Sequence, residues 1–140
     1  MNKSSTDLIR IIPLGGLGEI GRNCTVFEFG DDAVIVDCGV MFPDSDMLGV
    51  DLVLPDFSYV FENADRFRGI VVTHGHEDHI GGIPYLLREL DLPIYGTKLT
   101  LALISSRLKE HGLLEKATLH EVTHGDAILF GQIELETFHV

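Results

Sequence analysis

Cysteine is scarce in this sequence, and long apolar runs are absent. Only two of the 140 residues are cysteines, Cys24 and Cys38, and their spacing offers neither a disulfide framework nor a zinc knuckle. We expect both to be small buried apolar side chains. No apolar run approaches the roughly 18 residues of a membrane-spanning helix, and the stretch MNKSSTDLIR lacks the apolar segment of a secretory signal. The sequence therefore predicts a cytoplasmic protein.

Positive charge is also scarce. Ten Lys and Arg residues stand against 22 Asp and Glu residues, which gives a net charge of −12. Strong binding of a nucleic-acid backbone depends on Lys and Arg releasing counterions, so this surface alone is not expected to hold one. A nucleic-acid substrate is still compatible with the sequence, because bound metal ions add local positive charge.

The order of elements predicts one α+β domain with two sheets and helices packed outside. Alternating and apolar stretches predict eight strands, at Leu8–Leu14, Asn23–Phe29, Ala33–Val36, Gly69–Val72, Pro93–Tyr95, Ala117–Val122, Ala127–Phe130 and Gln132–Val140. Helices are predicted at Ile83–Leu90 and Lys98–His111, the second with Thr97 as its N-cap and Gly112 as its stop. A long irregular loop is predicted at Asp37–Pro55.

The two ends of the chain carry further expectations. Residues 1–6 are expected to form a disordered tail. The last predicted strand is still running at Val140, so we expect this sequence to be part of a longer protein.

One segment, Thr73–His79 (THGHEDH), carries three of the seven histidines. In an extended chain His74 and His76 point to the same side, and Asp78 and His79 fall on the turn into a helix. Imidazole and carboxylate are ligands that divalent ions such as zinc prefer. The spacing therefore predicts a metal centre after a buried strand.

The same ligands can serve two adjacent ions. Two metals about 3.5–4 Å apart hold a shared water and lower its pKa toward roughly 7, which supplies hydroxide at neutral pH. Asp37, at the end of the strand Ala33–Val36, is a candidate for orienting an imidazole or for neighbouring a metal. Its alternative interpretation is an acidic strand terminus without a role.

Other patterns in the chain are weaker. Gly16–Gly21 is a literal GxGxxG after a strand, but a dinucleotide site needs a helix to begin at that loop. Here Arg22 is followed at once by a strand pattern, which disfavours that interpretation. Thr123–Asp126 (THGD) resembles the start of the metal motif, yet a turn between two strands is the favoured interpretation.

Four sequence blocks carry a closer resemblance: PLGGLGEIGRN (Pro13–Asn23), DCGVMFPD (Asp37–Asp44), LGVDLVLPDFSY (Leu48–Tyr59) and THGHEDHIGGIPYLL (Thr73–Leu87). HxHxDH alone is typical of the metallo-β-lactamase superfamily. Together the blocks resemble the ribonuclease J family, in the β-CASP branch of that superfamily. The resemblance begins near Asp7 and covers nearly all of the chain.

The resemblance implies a fold and a set of ligands. The fold is the αββα sandwich, of which residues 1–140 would be the N-terminal portion, about the first half. His74 and His76 would bind one divalent ion, and Asp78 and His79 the other, with zinc expected and manganese as the alternative. Asp78 and Asp37 are the candidate catalytic carboxylates.

The resemblance also implies an activity, and it shows which residues and domain of the family have no counterpart in this sequence. The activity is 5′-to-3′ exonucleolytic and endonucleolytic cleavage of RNA, in rRNA processing and mRNA decay. The family's further histidine, bridging aspartate and late histidine have no matching positions here, and neither does its inserted RNA-clamping domain. His139 could substitute for a ligand, but it lies inside a strand pattern, which disfavours that role. Family-like homo-oligomers would form through regions outside this sequence.

Two other hypotheses remain open at the level of sequence. One is a catalytically incomplete fragment that binds metal or a partner. The other is a hydrolase of a small thioester or lactam on the same scaffold, which the flanking blocks disfavour.

Overall fold

An antiparallel hairpin leads into a parallel sheet. The computed structural model describes residues 8–43, 47–50 and 52–139, and the tail expected at residues 1–6 lies outside them. The main sheet has six strands in the order β1–β6, namely β1 (Ile9–Gly15), β2 (Cys24–Phe29), β3 (Asp32–Val36), β4 (Phe67–Val71), β5 (Ile94–Gly96) and β6 (Leu119–Glu121). β1 to β3 pair antiparallel and β3 to β6 pair parallel. β2 and β3, both predicted as strands, form a hairpin.

The helices differ from the prediction in length and number. They are α1 (Ser58–Glu62), α2 (Glu77–Ile80), α3 (Ile83–Leu87) and α4 (Lys98–Glu110), with 3-10 turns at Ala64–Arg66 and Leu114–Lys116. The predicted cap of α4 is confirmed, because the Thr97 hydroxyl accepts a hydrogen bond from the Thr100 amide. α1 and α2 were not predicted, and α3 ends three residues before the predicted Leu90.

A second sheet contains β7 (Ala127–Phe130) and β8 (Ile133–Glu136). The prediction of a strand over Gln132–Val140 was therefore too long among the described residues. The Thr137 hydroxyl donates to the Thr123 carbonyl at 2.6 Å, and the His139 amide donates to the His124 ring instead of a strand carbonyl. β8 ends at Glu136, and the backbone of Thr137 pairs with Asp126 and Gly125 of the turn. Val140 lies outside the described residues.

The two faces of the main sheet bury different partners. Val34 and Ile35 are neighbours on β3, and alternation sends them to opposite faces. Ile35 packs with the apolar sides of the helices, whereas Val34 packs with Ile128 and Phe130 of the second sheet. The sheet therefore lies between a helical layer and the β7–β8 hairpin, as the predicted arrangement requires.

Two sequence expectations about individual segments are met. Cys24 and Cys38 are buried free thiols in the helix-side core. The described part of the predicted loop Asp37–Pro55 contains one isolated bridge, Met41 to Val53, and no helix or longer strand. Among the described residues, no helix is long and apolar enough to cross a bilayer.

Candidate metal centre

The candidate site lies where the parallel strands β3 and β4 end side by side. Val36 pairs with Val71, and the Asp37 amide donates to the Val71 carbonyl at 2.8 Å. Asp37 therefore comes to the same edge of the sheet as the segment Thr73–His79, which we call the metal-ligand loop. This edge is where ligands gather in sheets of parallel strands.

The metal-ligand loop brings the four predicted ligands together. The ring centroid of His74 lies 4.7 Å from that of His76 and 3.9 Å from that of His79. Oδ2 of Asp78 lies 3.6 Å from Nε2 of His79. His76 keeps an extended backbone, with φ −76° and ψ 150°, and α2 begins at the next residue. The change from extended to helical backbone brings the His79 ring against that of His74, with Asp78 beside His79.

Asp37 fixes the ring of His79. Its Oδ2 lies 2.7 Å from Nδ1 of His79 and also accepts the Thr73 hydroxyl at 2.8 Å, while its Oδ1 accepts the Thr73 amide at 2.8 Å. Because an ionised carboxylate only accepts, this contact requires a proton on Nδ1 of His79, which leaves Nε2 as the acceptor of a neutral ring. Asp37 reaches this position from a left-handed backbone, with φ 63°.

Asn23 is a site residue that the sequence analysis missed. Its amide donates to the Asp78 carbonyl at 2.9 Å, and its Nδ2 donates to the same carbonyl at 3.0 Å. Nδ2 also lies 3.4 Å from Oδ2 of Asp78 and 3.3 Å from Nε2 of His79. The only sequence signal was its place at the end of the block PLGGLGEIGRN. Asn23 thus contacts both ligands of the second predicted pair.

The backbone beneath the loop is packed without spare room. The Cys38 amide donates to the His79 carbonyl at 2.8 Å, and Gly82 donates to the Cys38 carbonyl at 2.8 Å. A Cβ at Gly39 would lie 1.7 Å from the carbonyl oxygen of Asp78. Glycine at position 39 therefore lets the β3 extension pass directly under the ligands.

The glycine-rich segment Gly16–Gly21 lies beside the site as a loop. Glu19 closes it by accepting the Gly16 amide at 3.0 Å and by pairing with Arg22, whose Nη1 also donates to the Leu54 carbonyl at 3.0 Å. The Arg22 guanidinium, followed by the Gly16 amide, lowers the pKa of the Glu19 carboxyl. The next element is β2, so a helix that could bind pyrophosphate does not begin here.

A cavity of about 1030 Å³ opens above the first two ligands. Its walls include His74, His76, Lys98, His124 and His139. The Nδ1 atom of His124 accepts the backbone amide of His139 at 2.8 Å. His124 and His139 therefore lie together on the cavity wall, and the motif Thr123–Asp126 forms the predicted turn, closed by the Asp126 amide donating to the Thr123 carbonyl.

The donor set fits part of a metal centre. Three imidazoles and a carboxylate suit zinc or manganese. Within residues 8–43, 47–50 and 52–139, no three His, Cys, Asp or Glu side chains are arranged to hold one ion by themselves. The predicted pairs, His74 with His76 and Asp78 with His79, offer two ligands each, whereas zinc usually takes four. Each ion would need water or further side chains to complete its coordination.

The fold and the loop define a class of protein. Residues 17–140 match the metallo-beta-lactamase superfamily, and the chain belongs to that superfamily. Solved structures agree on the fold. The metallo-beta-lactamase SMB-1 aligns with a TM-score of 0.58 at 13% identity, over 95% of this chain and 54% of that one. Zinc-bound PqqB from Methylobacterium extorquens aligns with a TM-score of 0.58 at 11% identity, over 86% of this chain and 43% of that one.

Within the superfamily, the sequence is similar to ribonuclease J proteins. It is 48% identical over 138 residues to ribonuclease J2 of Bacillus subtilis, which covers 99% of this chain and 25% of that protein. It is also 48% identical to ribonuclease J 1 of Streptococcus pyogenes over 93% of this chain and 23% of that protein. The resemblance inferred from the four sequence blocks is confirmed. The chain spans a quarter or less of the length of these relatives.

Proposed function

We propose that the protein is a metal-dependent ribonuclease of the ribonuclease J type, which hydrolyses RNA phosphodiesters from the 5′ end and internally. The observation that carries the proposal is the convergence of the ligands of Thr73–His79 within a sequence 48% identical to ribonuclease J proteins. The proposed setting is rRNA processing and mRNA decay. The cytoplasmic location expected from the sequence remains a prediction.

The proposed ligands are His74 and His76 for one ion, and Asp78 and His79 for the other. When bound, divalent ions at this site activate water for attack and stabilise negative charge on the phosphoryl oxygens. Asp37 contributes by holding the His79 ring with its Nδ1 atom toward the Asp37 carboxylate, so that Nε2 of His79 points away from that carboxylate. Zinc is the expected metal and manganese the alternative, because His and Asp ligands accept both.

RNA would reach the ligands through the cavity above His74 and His76. Lys98 lies on its wall, but Glu121 and Glu136 do as well, and the chain has a net charge of −12. This balance supports a division of labour in which these residues supply the chemistry. Most of the binding to the RNA backbone would then come from regions that the relatives carry beyond the matched part. Any homo-oligomer would also form through such regions.

The test is hydrolysis of RNA by the full chain loaded with zinc or manganese. A 5′-monophosphorylated RNA labelled at its 3′ end should be shortened from the 5′ end, and chelation of the metal should stop the reaction. His76→Ala should remove the activity. The matched control is His120→Ala, because His120 stacks on Tyr95 of β5 and does not line the cavity above His74 and His76. Intact RNA together with hydrolysis of a thioester or a lactam would overturn the proposal.

A second candidate is a metal-binding module without its own catalysis. It is favoured by the fact that the described residues hold no complete set of three ligands for one ion. This candidate predicts that the full chain binds metal, with an affinity that falls in His76→Ala, and yet leaves RNA, thioester and lactam unchanged. Measuring metal content and hydrolysis on the same preparation separates the two candidates.

A further inference from the structure

Helix α4 contacts the metal-ligand loop through Leu103 and Arg107. A Cβ at Gly75 would lie 2.4 Å from Cδ1 of Leu103, so Leu103 is in close contact with the backbone between the first two histidines. One helical turn further, Nε and Nη2 of Arg107 both reach Oε1 of Glu77. Leu103 and Arg107 are four residues apart and therefore lie on one face of α4.

These two contacts fall on the positions of HxHxDH that are not ligands. Gly75 lies between His74 and His76 in the chain, and Glu77 follows His76 directly, so both contacts act on the backbone that carries these proposed ligands. Glu77 is also the first residue of α2, the helix that carries Asp78 and His79. Holding the Glu77 side chain in place therefore constrains the proposed ligands on both sides of it in the chain.

We infer that the ion pair between Arg107 and Glu77 is a positioning contact, through which α4 sets the direction of the metal-ligand loop and raises its affinity for divalent ions. The inference rests on the proposed metal-dependent function. Outer contacts of this kind usually change metal affinity about 10–100-fold when they are removed. The pair is partly exposed, with 40% of the Arg107 side chain and 32% of the Glu77 side chain accessible. Its contribution to overall stability should therefore be small.

The sign of one substitution separates positioning from simple electrostatics. Arg107 is a positive charge near a site for cations, so removing it should raise metal affinity if only charge matters. If Arg107 acts by holding Glu77, the same change should lower metal affinity. Substitution of Glu77 does not distinguish the two explanations, because both predict a loss of metal affinity.

The experiment measures zinc and manganese affinity of the full chain, by competition with a chromophoric chelator, for Arg107→Gln, Glu77→Gln and the double variant. We expect each single variant to lose affinity about 10-fold, and the double variant to lose no more than the worse single one. Arg107→Lys should recover part of the loss. The bands of a cobalt-substituted site should shift in Arg107→Gln, because they report the ligand geometry. Lys109→Gln is the matched control, since it removes an exposed positive charge from the same helix.

The outcomes are distinct from those of the proposed function. A wild-type chain without measurable metal binding would overturn both. Normal binding by wild type, with unchanged or higher affinity in Arg107→Gln, would overturn only the positioning role. Equal losses in Lys109→Gln and Arg107→Gln would also overturn it, because the effect would then be general to the helix. Unfolding midpoints and circular dichroism of each variant identify any loss that comes from misfolding.

Discussion

Oδ2 of Asp37 lies 2.7 Å from Nδ1 of His79, so a carboxylate at the end of β3 determines which nitrogen of that imidazole is available. The two residues are 42 positions apart and meet because β3 and β4 are parallel neighbours. The Asp37 carboxylate is almost fully buried and accepts hydrogen bonds on both oxygens. The orientation of His79, a proposed metal ligand, is thus determined by the sheet beneath it.

Asp37→Asn should lower metal affinity about 10–100-fold. Asparagine would place an NH2 group at one of the two oxygen positions of Asp37. At Oδ1 it would face the Thr73 amide, and at Oδ2 it would face the Thr73 hydroxyl and His79, all of which are donors. The His79 ring then loses its fixed tautomer. Asparagine tolerates the left-handed backbone at this position, so the fold should remain. Asp65→Asn, an exposed change of the same kind, is the control, and equal metal affinities in both variants would refute the role of Asp37.

Asn23→Ala should also weaken metal binding, by about 10-fold, with little change in the fold. The backbone amide of Asn23 still holds the Asp78 carbonyl, so the loop stays attached to β2 while the side-chain contacts to Asp78 and His79 disappear. Asn63→Ala is a matched control, because Asn63 also donates its side-chain amide to a backbone carbonyl, in α1. The measurement is chelator competition on both variants. Similar affinities for Asn23→Ala and wild type would show that the contact is only structural.

The four proposed ligands could be picked out from the sequence because they are consecutive or nearly so. Local spacing is enough to place His74 and His76 on one side, and a buried strand followed by glycines indicates where they lie. Asn23 and Arg107 could not be found in this way. Their contacts join residues 55 and 30 positions apart, and those distances are closed by sheet register and by helix packing.

The same reason explains which parts of the fold were missed. The strands and α4 carry a repeating apolar pattern or a cap, which are local signals. α1 and α2 are only five and four residues long, and helices of one turn are not stable by themselves. They form because Val60 and Ile80 are buried against the sheet. One buried residue in each short helix is too little of a repeating pattern to predict this packing from the sequence.

Gly39→Ala should destabilise the fold by about 3 kcal/mol, the upper part of the usual range for overpacking. The new Cβ would overlap the Asp78 carbonyl, which is backbone and is already held by Asn23. Gly96→Ala is the control, because its Cβ would meet only ordinary contacts, the nearest at 3.4 Å to a Thr100 methyl. Urea unfolding of both variants measures the difference. A Gly39→Ala protein as stable as Gly96→Ala would mean that the metal-ligand loop can shift freely.

Asp32 connects the second sheet to the first, and its loss should destabilise the β7–β8 hairpin. Its Oδ2 accepts the Gln132 amide at 2.8 Å across 100 residues of sequence, and its Oδ1 accepts Nε of Arg68 at 2.8 Å. A Cβ at Gly131 would lie 2.2 Å from the Asp32 carboxylate, so the turn rests directly on it. Asp32→Asn should lower the free energy of unfolding by about 1.5–3 kcal/mol, the range for hydrogen bonds to a charged group.

The pH dependence of stability provides an independent check on Asp32. The hydrogen bond from the Gln132 amide, followed by that from Arg68, lowers the pKa of the Asp32 carboxyl in the folded protein. A lowered folded pKa means that the stabilisation is complete above the ordinary carboxyl value of about 3.9. It is lost as the pH falls through the lower folded value. Unfolding in urea at pH 7 and then at decreasing pH should therefore show the gap between wild type and Asp32→Asn narrowing below about pH 4. Asp31→Asn, which changes the exposed neighbouring carboxylate, should show no such gap, and a gap of constant size would mean that the Asp32 charge is not what holds the hairpin.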